Sequence, residues 1–274
     1  MNRQSFAARL LSAPYLIWAA LFIVAPLLMV AYYTFTDANG AFTLANLSQL
    51  GNYSDIFVRS IWFSLIATVI CLVIAYPIAY AISLRRETTQ RILIMLVMLP
   101  MWMNFLLRTY SWMAILEDTG VINSLLRALG LNPLHMINTS GAVILGMMYN
   151  FLPYMILPIY SVMAKLERSM VEAAQDLGAG RLAVLTKIIL PHSMPGIASG
   201  LTMVFVPSVS TFYISQKLGG GKFDLIGDTI ERQFQTAYNY NLGAAISFVL
   251  MILILICIAV LNKFTDEDKG RMIV

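Results

Sequence analysis

Glu172 is followed directly by Ala173 and Ala174, by Gly178 after a gap of three residues, and by Ile188, Leu190 and Pro191 after nine more. Written as E-A-A-x3-G-x9-I-x-L-P, this set holds no nucleophile and no acid–base pair. Its chemistry is that of docking. Two adjacent alanines make a narrow surface that can enter a groove, Glu172 offers a carboxylate to a basic group, and Gly178 sets the angle of exit. Lys165–Leu177 has Leu166, Met170, Ala173, Ala174 and Leu177 at helical spacing, and Gly178 stands where a left-handed glycine ends a helix. A second helical run, Arg181–Leu190, is expected to end at Pro191, with Pro195 opening the next segment. Composition alone leaves a second reading open, a helix lying on a membrane surface.

A second set consists of polar and aromatic residues within apolar stretches: Trp102, Asn104, Tyr149, Asn150, Ser208, Ser210 and Tyr213. Polar groups at such depth face a cavity or another helix. They can line a pathway or serve as hydrogen-bonding glue between helices.

The elements that must position these residues follow from composition. The chain has 274 residues, 59% hydrophobic and 12% charged, and its mean hydropathy is +0.76. Soluble domains carry about 25% charged residues, so this chain lacks the polar surface for water. About 20 apolar residues cross a bilayer as a helix, and six such stretches are expected, at 15–35, 61–84, 92–114, 141–164, 197–215 and 243–262, with a loop at 165–196. The class is an all-α membrane protein with a single transmembrane domain. Arg3, Arg9, Arg85, Arg86, Arg91, Lys165, Arg168, Arg181, Lys187, Lys263, Lys269 and Arg271 fall on one side, which places both termini in the cytoplasm. The net charge of +4 reflects this asymmetry and needs no nucleic-acid partner.

The first apolar run is longer than the 7–15 residues of a signal-peptide core, so an uncleaved first span is expected. Three outer loops can hold short structure. Asp37–Ser60 precedes the second span, Val121–Leu129 is amphipathic and stopped by Gly130 and Pro133, and Leu225–Phe234 has helical spacing after Gly219-Gly220-Gly221. Prolines 26, 77, 100, 153, 158 and 207 lie in spans 1 to 5 and can kink them. Cys71 and Cys257 read as buried thiols without a metal-ligand pattern, and His135 and His192 are far apart in topology. Gly221-Lys222 is followed by Phe223, so no phosphate-binding G-x-x-x-x-G-K-[ST] loop is formed. The chain is therefore expected to be no enzyme by itself.

The Glu172–Pro191 pattern resembles the coupling loop of type I ABC importer permeases. Further strings resemble their polyamine branch, the B-type permease subunits of spermidine/putrescine importers. These are Asn52-Tyr53 with Ile56-Phe57, Arg108-Thr109-Tyr110, Gly120-Val-Ile-Asn123, Tyr149-Asn-Phe-Leu-Pro153 and Leu225-Ile-Gly-Asp228 with Gln233-Phe234.

The resemblance implies a location in the bacterial inner membrane and a homologous permease partner enclosing the pathway. It also implies two copies of a separate ATPase that carry ATP and Mg, and an extracytoplasmic polyamine-binding protein. This chain would bind no cofactor itself, and ATP-driven closure of the ATPase dimer would switch the cavity between its two faces. An alkylammonium cargo suits amide oxygens and aromatic faces, and Asp224, Asp228 and Glu231 in an outer loop would concentrate a cation. Other small solutes remain open as cargo. A secondary transporter or channel is the remaining class, disfavoured because Arg108 is the only ionisable residue inside an expected span. On a straight helix Arg108 lies about 16 residues from Ile92, roughly 24 Å along and near the outer interface.

Overall fold

The computed structural model describes residues 14–271, with side chains except that of residue 168 and those from 261 onward. Arg3 and Arg9, and the side chains of Arg168, Lys263, Lys269 and Arg271, lie outside the described residues.

The described residues form helices α1 (Pro14–Thr34), α2 (Ser54–Ser83), α3 (Glu87–Trp102), α4 (Phe105–Leu116), α5 (Val121–Ala128), α6 (Ser140–Met163) and α7 (Arg168–Asp176). They continue as α8 (Arg181–Ser210), α9 (Tyr213–Leu218), α10 (Ile226–Gln235) and α11 (Tyr240–Arg271). Extended pairing among the described residues is limited to one bridge, Thr36 with Phe42. Among the described residues five helices are long and apolar enough to cross a membrane, or six if the bent pair that begins with α3 is one span.

Expected spans 1, 4 and 6 coincide with α1, α6 and the apolar part of α11 within a few residues. The third does not run straight. The axis turns by 88° between Glu87–Trp102 and the run Phe105–Ala128. Pro100 withholds a backbone donor near the end of α3, and Asn104 caps α4 by accepting from the Leu106 N–H at 2.8 Å. The straight-helix depth given above for Arg108 therefore does not hold. The fifth span is also redrawn. Pro191 ends nothing, because α8 runs unbroken from Arg181 through Pro191 and Pro195 to Ser210. A wide turn over Leu185–Ile189, closed by the Leu190 N–H on the Leu185 carbonyl, stands just ahead of Pro191. The same device, Ala20–Val24 closed by the Ala25 N–H, stands ahead of Pro26 in α1. Such turns open room where a proline ring would strike the preceding carbonyls. At its far end α8 stops at Thr211, so Ser215 belongs to the separate α9.

The described residues divide into two compact units, 14–55 with 229–253, and 56–228 with 254–271. In the first, the carbonyls that end α1 receive side-chain amides. Asn46 donates to Thr34 and Thr36 at 3.1 and 2.9 Å, and Asn241 donates to Tyr33 and Thr36 at 3.1 and 2.7 Å. Phe35 lies between Phe42 and Phe248, with ring centroids 6.2 and 5.7 Å away.

In the second unit α6 and α8 are the most extensively packed pair. Gly196 and Gly200 form a G-x-x-x-G stripe on α8. A Cβ at Gly196 would meet the Pro158 carbonyl oxygen at 2.7 Å, and one at Gly200 the Met155 sulfur at 2.6 Å. Small residues at this spacing let two membrane helices approach backbone to backbone. Around the crossing Met147, Met155, Ile159, Val204 and Val209 are wholly buried. Cys71 of α2 is buried with them, its thiol donating to the Met148 carbonyl at 3.6 Å.

Candidate coupling site and pathway

The sequence of α7 explains its end as well as its faces. After Asp176 the Gly178 N–H donates to the Gln175 carbonyl at 2.9 Å and the Ala179 N–H to the Ala174 carbonyl at 3.0 Å. Gly178 takes φ +86°, a left-handed conformation costly to residues with a Cβ. This paired closure is the Schellman ending. It turns the chain sharply into α8.

The two alanines do not share a face. Ala174 packs inward with Val171 against the core, whereas Ala173 is exposed. With Ala173 on the outer face stand Met170 and Leu177, at helical spacing, and Leu177 is 90% exposed. Leu182, at the start of α8, is 74% exposed. Glu172 is exposed and borders a cleft of about 330 Å³ with Gln175, Tyr80, Ser83, Gln90, Met163 and Leu166. A short helix with a sharp exit, an outward apolar face and a carboxylate at its edge can seat in a groove on another protein. Ile188, Leu190 and Pro191 lie inside α8, one turn beyond its N-terminal part.

The polar and aromatic set is dispersed. Trp102, 70% exposed, and Asn104 stand at the bend between α3 and α4. Tyr213, which opens α9, packs on Phe105 and Tyr110 of α4 with centroids 6.0 and 6.1 Å apart. The Lys217 ammonium lies 5.6 Å from both the Tyr110 and Tyr213 ring centroids. Tyr149 meets Trp112 edge-on at 5.3 Å. Asn150 and Ser208 are buried and donate to carbonyls of their own helices, Gly146 at 2.8 Å and Val204 at 2.6 Å. Ser210 is exposed and bonds back to Val206 at 3.2 Å. The bend and the α4–α9 aromatic cluster thus gather Trp102, Asn104 and Tyr213, while Asn150 and Ser208 sit inside the packing.

Arg108 is buried, its guanidinium 5.9 Å from the Phe105 ring, with Nε and Nη1 making no hydrogen bond. Of the three acids expected in an outer loop, Asp224 is half-buried, as is Glu231 in the other unit. Asp228 is turned inward at 5% exposure. Its carboxylate accepts from the Leu225 N–H at 2.8 Å, reaching back from the third position of α10 as a capping carboxylate does. The next orphan donor, the Ile226 N–H, is met by the Ser60 hydroxyl at 2.7 Å. Asp228 thus has a helix-capping duty that the sequence reading did not reveal.

Residues 87–266 match the family described as binding-protein-dependent transport system inner membrane component. The spermidine/putrescine transport system permease protein PotB of Haemophilus influenzae is 37% identical over 253 residues, 89% of this chain and 88% of that protein. Its Escherichia coli K12 namesake is 37% identical over 245 residues, 86% and 89% of the two chains. The inner membrane ABC transporter permease protein YdcU of Escherichia coli K12 is 30% identical over 264 residues, covering 88% and 83%. Among solved structures, a bacterial ABC transporter that imports the acidic polysaccharide alginate aligns with a TM-score of 0.78 at 18% identity, over 97% of this chain and 96% of that one. The same kind of transporter with an alginate-pentasaccharide-bound periplasmic protein aligns at 0.77 and 17% identity, over 96% and 95%. Those two likenesses carry the fold. The family match runs from α3 into α11 and takes in the α7 turn and the α6–α8 crossing: this chain belongs to the inner-membrane permease components of binding-protein-dependent transport systems.

Proposed function

We propose that the chain is one permease subunit of an ATP-driven importer of polyamines, docking a separate ATPase through α7. The observation that carries the cargo is 37% identity over 89% of the chain to a spermidine/putrescine permease protein. Docking is supported by the exposed Met170–Ala173–Leu177 face, the Glu172 carboxylate and the Gly178 turn. ATP and Mg belong on that ATPase, present in two copies. A homologous permease subunit completes the pathway, and an extracytoplasmic binding protein delivers the cargo. The lysine and arginine distribution puts α7 and both termini in the cytoplasm. For the cargo, the Trp102 ring and the Asn104 amide at the α3–α4 bend offer ammonium-binding chemistry, whereas the Tyr110 and Tyr213 rings already face the Lys217 ammonium.

The experiment is uptake of labelled spermidine and putrescine by cells lacking this chain, with the wild type or a variant returned on a plasmid. Uptake is expected with the wild type and lost with Glu172→Lys or Gly178→Asp, each still present in the membrane. Restoration by both variants would overturn α7 docking. Uptake independent of the chain would overturn the polyamine cargo and turn the search to other small solutes.

A further inference from the structure

One side chain ties three helices together beside α7. The Gln90 Nε2 donates to the Ser83 carbonyl at 2.9 Å and to the Arg85 carbonyl at 2.8 Å. Its Oε1 accepts from the Tyr160 hydroxyl at 2.9 Å. Both amide hydrogens and one lone pair are therefore in use, and the two carbonyls, which only accept, fix which way the amide points. Ser83 ends α2, Gln90 lies in the first turn of α3, and Tyr160 lies one turn from the end of α6.

The α7 helix is close to this knot in two ways. Residues 164–167 alone separate α6 from α7, so displacement of α7 pulls on the turn that carries Tyr160. Gln90 also lines the same cleft as Val171, Glu172 and Gln175 of α7, together with Leu166. A half-buried hydrogen bond in a polar cleft is geometrically specific, and here it is the side-chain link from α6 to the α2–α3 corner. The corner itself would stay capped without it.

We infer that Gln90 and Tyr160 are positioning residues that pass movement of α7 from α6 to α2 and α3. This rests on the proposal that α7 docks the ATPase. The two residues touch neither cargo nor nucleotide. Loss of the link leaves docking and ATP turnover in place and lowers the transport obtained per ATP.

The test uses the assembled importer in proteoliposomes, scoring ATPase retention on the chain, ATP turnover and cargo uptake in one preparation. Tyr160→Phe removes only the hydroxyl. Gln90→Met removes the acceptor of the Tyr160 hydroxyl together with the donors to the Ser83 and Arg85 carbonyls, and offers no hydrogen bond in their place. Each is expected to lower uptake about fivefold, the equivalent of one ordinary hydrogen bond, with ATPase retention and ATP turnover unchanged. The double variant is expected to be no worse than Gln90→Met alone, because the Tyr160 hydroxyl has no further partner to lose once Gln90 is gone. Wild-type uptake per ATP in Tyr160→Phe, or multiplied losses in the double variant, would overturn the inference. Glu172→Lys run alongside separates the two readings. If it keeps both the ATPase and uptake, α7 docking fails, whereas its loss beside an unaffected Tyr160→Phe rejects only the link.

Discussion

The α6–α8 crossing and α7 are neighbours in the chain with opposite surfaces. At the crossing, Gly196 and Gly200 remove side chains so that backbone meets backbone, and Met155, Ile159 and Val204 are wholly buried. Along α7, Val171 and Ala174 turn inward, and Leu177 is left 90% exposed. A membrane helix packs by close contact of small residues, since lipid offers no hydrophobic drive toward a neighbour. Outward apolar side chains are ordinary when they stand singly, but Met170, Ala173 and Leu177 share one side of α7, and that face is the one proposed above to meet a partner. One region holds the fold and the other is spared from it.

The largest expected effect breaks the first half of this contrast. Gly196→Leu should prevent α6 and α8 from closing, because the obstacle 2.7 Å away is the Pro158 backbone oxygen, which cannot rotate aside. Overpacking ordinarily costs about 1–3 kcal/mol, and more where the backbone must move. Gly200→Ala should be milder, since its nearest neighbour at 2.6 Å is the flexible Met155 sulfur. The check is the thermal transition and monodispersity of the purified chain in detergent. Equal losses at the two glycines would show that the crossing is not limited by backbone contact.

The second prediction breaks the other half. Leu177→Asp should leave that thermal transition within about 0.5 kcal/mol of the wild type, as for surface changes generally. Uptake should nevertheless fall at least tenfold, because the exposed apolar face is lost. Val171→Asp should do the reverse, unfolding the loop locally by placing a carboxylate against the core. Comparable stability losses for both would mean that α7 has no free outer face.

How far these regions were legible depended on the physical signal each one carries. Long apolar runs with few charges place α1, α6 and the apolar part of α11 to within a few residues, since span length is set by bilayer thickness. Gly178 was readable because a left-handed ending restricts residue type strongly. The exposure difference between Ala173 and Ala174 was not, because adjacent residues on a helix diverge by about 100° and only tertiary packing says which way the pair turns. Pro191 misled for a related reason. Proline stops an ordinary helix, but the wide turn at Leu185–Ile189 is a backbone adjustment with no side-chain signature. Asn150 and Ser208 stood out as polar residues at depth, yet each donates to the carbonyl four residues earlier, a use that hydropathy does not distinguish from pathway lining. The G-x-x-x-G at Gly196 and Gly200 was present in the sequence as a helix-packing signal.

The smallest effect concerns the 88° bend, where hydropathy averaged across a two-residue interruption. Pro100 and Asn104 both stand at the turn, but they act differently. Pro100 weakens α3 by withholding a donor, whereas Asn104 starts α4 by accepting from the Leu106 N–H. Asn104→Ala should therefore cost about 1 kcal/mol, the usual worth of an N-cap, lowering the thermal transition by about 2–4 °C for a chain of this size. Asn104→Asp should restore most of it, because an aspartate caps as well as an asparagine. Uptake separates capping from cargo contact. If Asn104 only caps, Asp rescues stability and transport together. If its amide also meets an alkylammonium cargo, the Asp variant recovers stability while its KM for spermidine shifts with the added charge. A bend held by the cap alone belongs with the α6–α8 crossing as part of the frame; one that also changes KM belongs with α7, among the surfaces left open for something outside the chain.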